Sequence, residues 1–398
     1  MPRLNLVPEY MKNFSCTGSA CEDTCCFGWT VPIDKKTFDK YKTLKDKKLK
    51  TRIYKSLRRN KMETSFSEYA TIKMGHDGYC PHLNQDKLCS LQLKLGERFL
   101  SHVCSTYPRE YNVVFGDYEL SGAISCPEVA RLALLNPDGM KFEKTDEKIN
   151  TSFYDRQLED ESLAEHFYPL REFVIELLQN RTYTIPERLL LVGVFIRKLS
   201  AVIELEEMDE IPDIIASFKE ELQGGSVLEA LADLPVRTEA QFVILQTLTS
   251  DYVNKWKTEV SPRYFQYYRQ INEVISGSVD RYQEAYAKYY APYMEQHEYL
   301  MENYLVNYTF TRLFPFMMSS DVWDDYVGMV LHYALVKMHL IGVSAYYQKL
   351  DHELAINMIY SYSRLYEHNS SYFEWALEEL KKDEFDTMEF MVYLIKNE

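Results

Sequence analysis

The sequence predicts a mainly α fold, with an N-terminal cysteine-rich metal- or cluster-binding module followed by an all-α multi-helix domain. Three observations point there. All eight cysteines lie within the first 126 of 398 residues. Beyond about residue 160, apolar residues recur at three- and four-residue intervals, the period of helices with one buried face. Between the two parts, "LNPDGMKFEKTDEKIN" (135–150) carries the turn residues Pro137, Asp138 and Gly139 and reads as a surface linker. The expected domains are residues 1–135, the cysteine module, and 150–398, a helical bundle that binds substrate.

The helices of the second part can be taken in order. "TIPERLLLVGVFIRKLSAVIEL" offers Thr184 as an N-cap and a proline in the first turn. "EIPDIIASFKEELQGG" ends in glycines placed to cap a C-terminus. "TEAQFVILQTLTSDYVNKW", "VDRYQEAYAKYYAPYMEQHEYLMENYLVNY", "DVWDDYVGMVLHYALVKMHLIGVSAYY", "HELAINMIYSYSRLYEH" and "SYFEWALEELKK" keep the helical period. No strand pairs are expected in this part, and a bundle of roughly eight to ten helices follows. Tyrosine, 32 residues, outnumbers the 20 Phe and 4 Trp combined. Its ring can be buried while its hydroxyl reaches a partner, which suits half-buried helix faces or a cleft that receives a cation.

Composition narrows the function. Hydrophobic residues at 46% and charged ones at 26% are ordinary for a globular protein. No uninterrupted apolar run reaches the roughly 18 residues of a membrane span, and "LLLVGVFI" (189–196) stops at Arg197. The opening "MPRLNLVPEYMKNF" lacks a signal-peptide pattern, so a cytoplasmic location and no membrane partner are expected. Net charge is −15, but residues 1–60 hold 14 Lys+Arg against 6 Asp+Glu, so that segment is +8 and the remainder −23. An acidic body does not suit nucleic acid, whose phosphates need basic surface. It suits a cationic partner such as lysine side chains, and it also serves plain solubility.

The cysteines carry the chemistry. Cys16, Cys21, Cys25 and Cys26 space as C-x4-C-x3-C-C, followed by Cys80 and Cys89 in "CPHLNQDKLC", then Cys104 and Cys126. A reducing compartment disfavours disulfides and leaves metal or catalytic roles for clustered thiols. Thiolates are soft donors suited to zinc, copper(I) or iron–sulfur clusters, and four complete either a tetrahedral zinc site or a cubane. Eight thiols fill two such sites or one with spares. On a helix, Cys21 and Cys25 would share a face, whereas the adjacent Cys25 and Cys26 are expected to point apart. His76, His82 and His102 are further candidate ligands, more simply read as surface or core histidines. The C-x2-C knuckle of common zinc sites is absent, and "CEDTCC" lacks the C-x3-C-x2-C spacing of radical S-adenosylmethionine (SAM) enzymes.

These motifs resemble the flagellin lysine-N-methylase family (FliB), within the wider YkgJ-type zinc- or iron-chelating cysteine-cluster group. The likeness lies in C-x4-C-x3-C-C-x2-W, "GWTVPID" (28–34), "CPHL" with "LCSL", "LGERFLSHVCSTYPRE" and "SCPEVARLAL" (125–134), and spans about residues 10–135. The resemblance implies a SAM-dependent protein lysine N-methyltransferase acting on flagellin, with a 4Fe–4S cluster, or alternatively zinc, held by cysteines. It does not settle which thiols ligate. Cys16, Cys21, Cys25 and Cys26 rank first, then Cys80, Cys89 and Cys104, with Cys126 as the eighth.

Lysine methylation needs an unprotonated amine aligned with a sulfonium methyl. Lysine's ordinary pKa is about 10.4, so the amine must be desolvated or lose its proton first. No Gly-rich dinucleotide-type loop follows a strand, so SAM is expected near the cluster or in a pocket between module and bundle. Arg109 is a candidate for the SAM carboxylate through its two-pronged guanidinium. Asp34 is a candidate to hold the amine, although its position before "KKTFDKY" also suits an N-cap. Tyr107 is a catalytic candidate, and Trp29 a cofactor-side lid that excludes water. The competing reading is a non-catalytic protein for zinc or iron chelation, delivery or sensing, docking through the basic stretch at 35–61. The size of the helical part favours an enzyme or a protein-substrate platform.

Overall fold

The computed structural model of the chain describes residues 5–60, 66–145, 154–225, 227, 235–255, 261–316 and 321–397. It is mainly helical. The first 158 residues nevertheless carry strands that the sequence reading did not anticipate. β1 (Asn5–Pro8), β5 (Arg109–Val114), β6 (Asp117–Gly122), β7 (Phe142–Thr145) and β8 (Arg156–Leu158) form one sheet in the order β7-β1-β6-β5-β8. β2 (Pro32–Ile33), β3 (Leu57–Arg59) and β4 (Ala70–Ile72) form a second, in the order β2-β4-β3. β5 and β6 join through Phe115 and Gly116, both at positive φ (49° and 90°), the backbone of a tight hairpin turn. β1 runs parallel to β6, and β8 parallel to β5.

Two expectations change accordingly. The 135–150 stretch is more than a linker, because Phe142–Thr145 forms an edge strand against β1 and Met140 is buried. Residues 146–150 lie outside the described set. The second part is not wholly helical either, since β8 belongs to it. Such strands are too short to show a period, and their partners lie far away in the chain.

Three hydrophobic clusters form among the described residues: a small one around Val114, Leu158 and Phe167, and the two larger cores that follow. A small lobe packs α1 (Lys35–Lys42), α2 (Lys47–Ser56), α3 (Ser90–Leu95), α4 (His102–Thr106) and the three-stranded sheet around Ile33, Tyr41, Ile53, Ala70 and Leu91. The main core takes in β1 and α5 (Pro127–Leu134) together with the helical body from α6 (Phe167–Leu178) onward. Segments on both sides of residue 135 therefore share that core. Tyr10 donates from its hydroxyl to Asn307 Oδ1 at 2.6 Å, and Asn112 Nδ2 donates to the Thr311 carbonyl at 3.0 Å, tying the larger sheet to the helix Tyr299–Thr311.

The caps read from the sequence are present. The Thr184 N–H donates to Glu187 at 2.7 Å at the start of α7 (Ile185–Glu204), and Gly225 (φ 77°) ends the helix Ile211–Gly224. The long pattern at 279–311 divides in three. A π turn at Tyr286–Tyr290 precedes Pro292, whose ring and missing N–H disrupt regular helix, and a further break falls at Glu298. The helix Val322–Tyr347 is long and apolar enough to cross a membrane, yet the window that qualifies is fully buried inside the protein. It is the central helix, touching α7, Pro262–Ile275 and His352–Tyr366. Gly193 of α7 lets it approach, because a Cβ there would lie 2.3 Å from the Tyr326 hydroxyl oxygen.

Many body tyrosines are fully buried, beyond the half-buried faces expected. They pair internally: Tyr264 Oη lies 2.7 Å from both His339 Nε2 and Tyr366 Oη.

Candidate functional site

The cysteine loop, residues 16–29, is irregular apart from one 3-10 turn at Gly18–Ala20, so Cys21 and Cys25 do not share a helix face. Backbone bonds attach it to the small lobe: the Gly28 N–H donates to Gly78 O at 3.1 Å, and the Cys80 N–H to Cys26 O at 2.9 Å. Three arginines clamp it to the body. Arg364 donates to Thr24 O at 2.7 Å and pairs with Asp23 at 2.8 Å. Arg263 donates to Glu22 O at 3.0 Å, and Arg131 pairs with Glu22 at 2.5 Å.

All eight thiols are free, and they fall into two neighbourhoods. Cys26, Cys80 and Cys89 pack in or against the small core. Burial pushes the Cys80 thiol up to about 11, with Cys104 and Cys89 adding repulsion. Cys104 is an exposed residue whose thiol is nevertheless raised by local desolvation, with Cys89 and Cys25 adding. Cys126 also rises to about 11, through burial and then Cys21 and Cys16. Cys25 is exposed, and hydrogen bonding with the Cys26 thiol raises its pKa, so the adjacent pair touches and does not diverge as expected. The donor type fits a soft metal or a cluster. Among the described residues, however, no three His, Cys, Asp or Glu side chains already meet as a metal-binding group. His82 is buried with Nε2 2.8 Å from Ser56 Oγ, His102 begins α4, and His76 is exposed.

Of the other candidates, Trp29 and Tyr107 come together, their rings 5.0 Å apart. Asp34 does not join them: it N-caps α1, accepting from the Thr37 N–H at 2.8 Å. Arg109 lies outside the slot that these two aromatics help to line, with its guanidinium over the Phe14 ring at 5.1 Å.

Trp29 and Tyr107 wall a narrow slot between the cysteine loop and the helical body, completed by Phe27, Ser125, Arg364 and His368. Trp29 Nε1 donates to the Cys25 carbonyl at 2.5 Å, which ties this wall directly to the cysteine pair. Ser125 Oγ sits 3.1 Å from Tyr107 Oη and 2.6 Å from His368 Nε2. His368 keeps an exposed side, but desolvation of its ring and then the nearby arginines lower its pKa, so it is mainly neutral near pH 7. Arg364 brings positive charge to the slot, balanced by Asp23. The cavity volume is about 50 Å³. At about 10–15 Å³ per water-sized group, that admits the tip of an aminoalkyl chain and excludes a nucleoside. Aromatic walls attract a cationic tip, and the hydroxyls of Tyr107 and Ser125 offer lone pairs.

Sequence reasoning missed Ser125, Arg364 and His368. Ser125 had a signal, since it stands in the "SCPEVA" motif beside Cys126. Nothing local marks Arg364 or His368, which lie on or just after a helix of the body, far from the cysteines in the chain.

The FliB lysine N-methylase C-terminal domain family matches residues 171–394, more than half of the chain and most of the helical body. The chain belongs to the FliB lysine N-methylase family. A lysine-N-methylase of Salmonella choleraesuis is 26% identical over 382 residues, covering 91% of this chain and 92% of that protein. Its counterpart in Salmonella typhimurium is 25% identical over the same length. A flagellar biosynthetic protein FliU of Salmonella muenchen is 38% identical over 134 residues, 33% of this chain and 78% of that protein. No solved structure matches the chain. The chain is therefore a protein-lysine N-methyltransferase of the FliB family.

Proposed function

We propose that this lysine N-methylase transfers methyl groups from SAM to ε-amino groups of flagellin lysines, and that the lysine tip enters the Trp29–Tyr107–His368 slot. One observation carries the reading: an aromatic slot sized for an aminoalkyl tip lies against the cysteine loop and is walled by residues of both parts of the chain. The flagellar substrate is supported by the sequence resemblance and by the flagellar name of the FliU relative.

Burial in the slot disfavours the charged form of the amine and lowers its pKa from about 10.4 toward neutrality. Trp29 and Phe27 exclude water, and Tyr107 offers its oxygen to an N–H. Aligning nitrogen with the methyl carbon can supply roughly 7–11 kcal/mol of the barrier reduction. The slot is too small for SAM, so the donor is expected to approach from its mouth.

The reading includes a 4Fe–4S cluster, with Cys25, Cys26, Cys80, Cys89 and Cys104 as the set from which its ligands come. Bound there, it would cross-link the cysteine loop to the small lobe and add charge near the slot. The test is transfer of labelled methyl from SAM to purified flagellin, using enzyme prepared without oxygen. Labelled lysines are expected, with transfer by Trp29→Ala and Tyr107→Phe reduced at least about tenfold. Full activity in both variants would refute the slot, and unlabelled flagellin would refute the substrate.

A further inference from the structure

The hydrogen-bonded row Tyr107–Ser125–His368 has a direction that affects the reaction. A neutral imidazole has one donor nitrogen and one acceptor nitrogen. His368 is neutral, and the charged groups that face it are Glu110, Arg312, Arg364 and Arg156. Its position is held through its neighbour: Arg312 donates to the Glu367 carbonyl at 2.6 Å, and the Tyr304 hydroxyl to the Glu367 carboxylate at 2.6 Å. Ser125 is 1% exposed, so its hydroxyl has few partners besides His368 Nε2 at 2.6 Å and Tyr107 Oη at 3.1 Å.

We propose that His368, in its Nδ1–H tautomer, is a positioning residue that acts through the Ser125 hydroxyl to aim the Tyr107 oxygen at the substrate amine. The Ser125 O–H donates to His368 Nε2. Its oxygen then accepts from the Tyr107 O–H, which leaves the phenol lone pairs facing the slot. This inference rests on the slot being the amine's binding place.

The chemistry balances without a proton being lost to His368. The ammonium releases its proton to water on entering the slot. The neutral amine donates one N–H to Tyr107 Oη, which directs its lone pair. Attack forms the nitrogen–carbon bond as the carbon–sulfur bond of a methylsulfonium donor breaks, its electron pair staying on sulfur. Nitrogen becomes positive, so its N–H donates more strongly to Tyr107 in the transition state than in the ground state. An interaction of that kind raises kcat more than it lowers KM.

The experiment compares steady-state methyl transfer by the wild-type enzyme, five single variants and one double variant, with thermal melting as a check on folding. Ser125→Ala is expected to lower kcat about tenfold to a hundredfold while KM for the protein substrate stays within about threefold. His368→Leu should match it, and His368→Gln, whose amide oxygen can still accept from Ser125, should recover most of kcat. Combining Ser125→Ala with Tyr107→Phe should cost no more than the larger single change, since both act on one contact. Wild-type kcat in Ser125→Ala, or losses that add in the double variant, overturns the role of His368. If Trp29→Ala is impaired in the same series, the slot reading survives that result. If Trp29→Ala, Tyr107→Phe and Ser125→Ala all keep wild-type kcat, both readings fall.

Discussion

The small lobe and the helical body of this chain are stabilised in different ways. The body buries a continuous apolar core along the helix Val322–Tyr347 and encloses the ion pair Arg188–Glu302 at 2.8 Å, while Arg171–Glu119 at 2.5 Å joins it to β6. The lobe has a short roll of aliphatic residues, two strongly basic helices, and cysteines where further core would otherwise be. A unit below about 70–80 residues rarely obtains more than about 3–5 kcal/mol from its core and usually needs a staple. The comparison teaches where the thiols sit: Cys80 lies in the lobe's core with Cys26 and Cys89 against it, whereas Cys126 packs against the body's core. The slot lies at the junction of the cysteine loop and the body.

The largest expected effect tests that asymmetry. Structural metal supplies about 10–16 kcal/mol in small zinc modules. On the proposed cluster reading, chelation, or Cys80→Ser, should unfold the lobe and open it to proteolysis at residues 35–60, with most of the helical circular dichroism retained. Loss of helix from the whole chain in a single transition would break the comparison.

A second test addresses the body. Arg188 is 2% exposed and donates to Glu302, Glu298 and the carbonyls of Leu178 and Tyr183. Arg188→Ala leaves Glu302 partly unpaired in the interior, and a broken buried pair costs about 3–5 kcal/mol. Denaturant titration should show that loss in the body's transition, with the lobe's protease resistance unchanged.

The smallest effect is a slope with pH. Burial pushes the Lys337 amine down to about 7, while it donates to the Ile395 carbonyl at 2.6 Å. Its pKa is depressed on folding, so the unfolded chain binds more protons between about pH 7 and the ordinary lysine value. Stability of the body should then rise with pH across that window. Lys337→Met should flatten the rise between pH 7 and 9, as read from denaturant midpoints. An unchanged slope would show that the lysine is not the group responsible.

Legibility in the sequence followed distance along the chain. Asp34 illustrates the local case: an acidic residue just before a helix-forming segment accepts from an N–H three positions on, a cap its neighbours in the sequence already suit. Arg109 illustrates a failure, because the "YPRE" motif suggested a ligand grip while the fold lays the guanidinium on Phe14. Trp29 and Tyr107 were recognisable as candidates from their motifs, but their meeting was not. The strands were missed because β1 pairs with β6 more than a hundred residues later, and nothing in four residues announces that partner.

The sequence by itself determined the helices of the body, their caps, the set of soft thiol donors and the family. Helical period, turn chemistry and ligand softness are properties of a residue and its near neighbours. Only the tertiary structure decided the slot. Ser125 and His368 are 243 positions apart and meet because the sheet and α5 share a core with the helical body. Long-range packing places those hydroxyl and imidazole groups within 2.6 Å, and no local pattern encodes that distance.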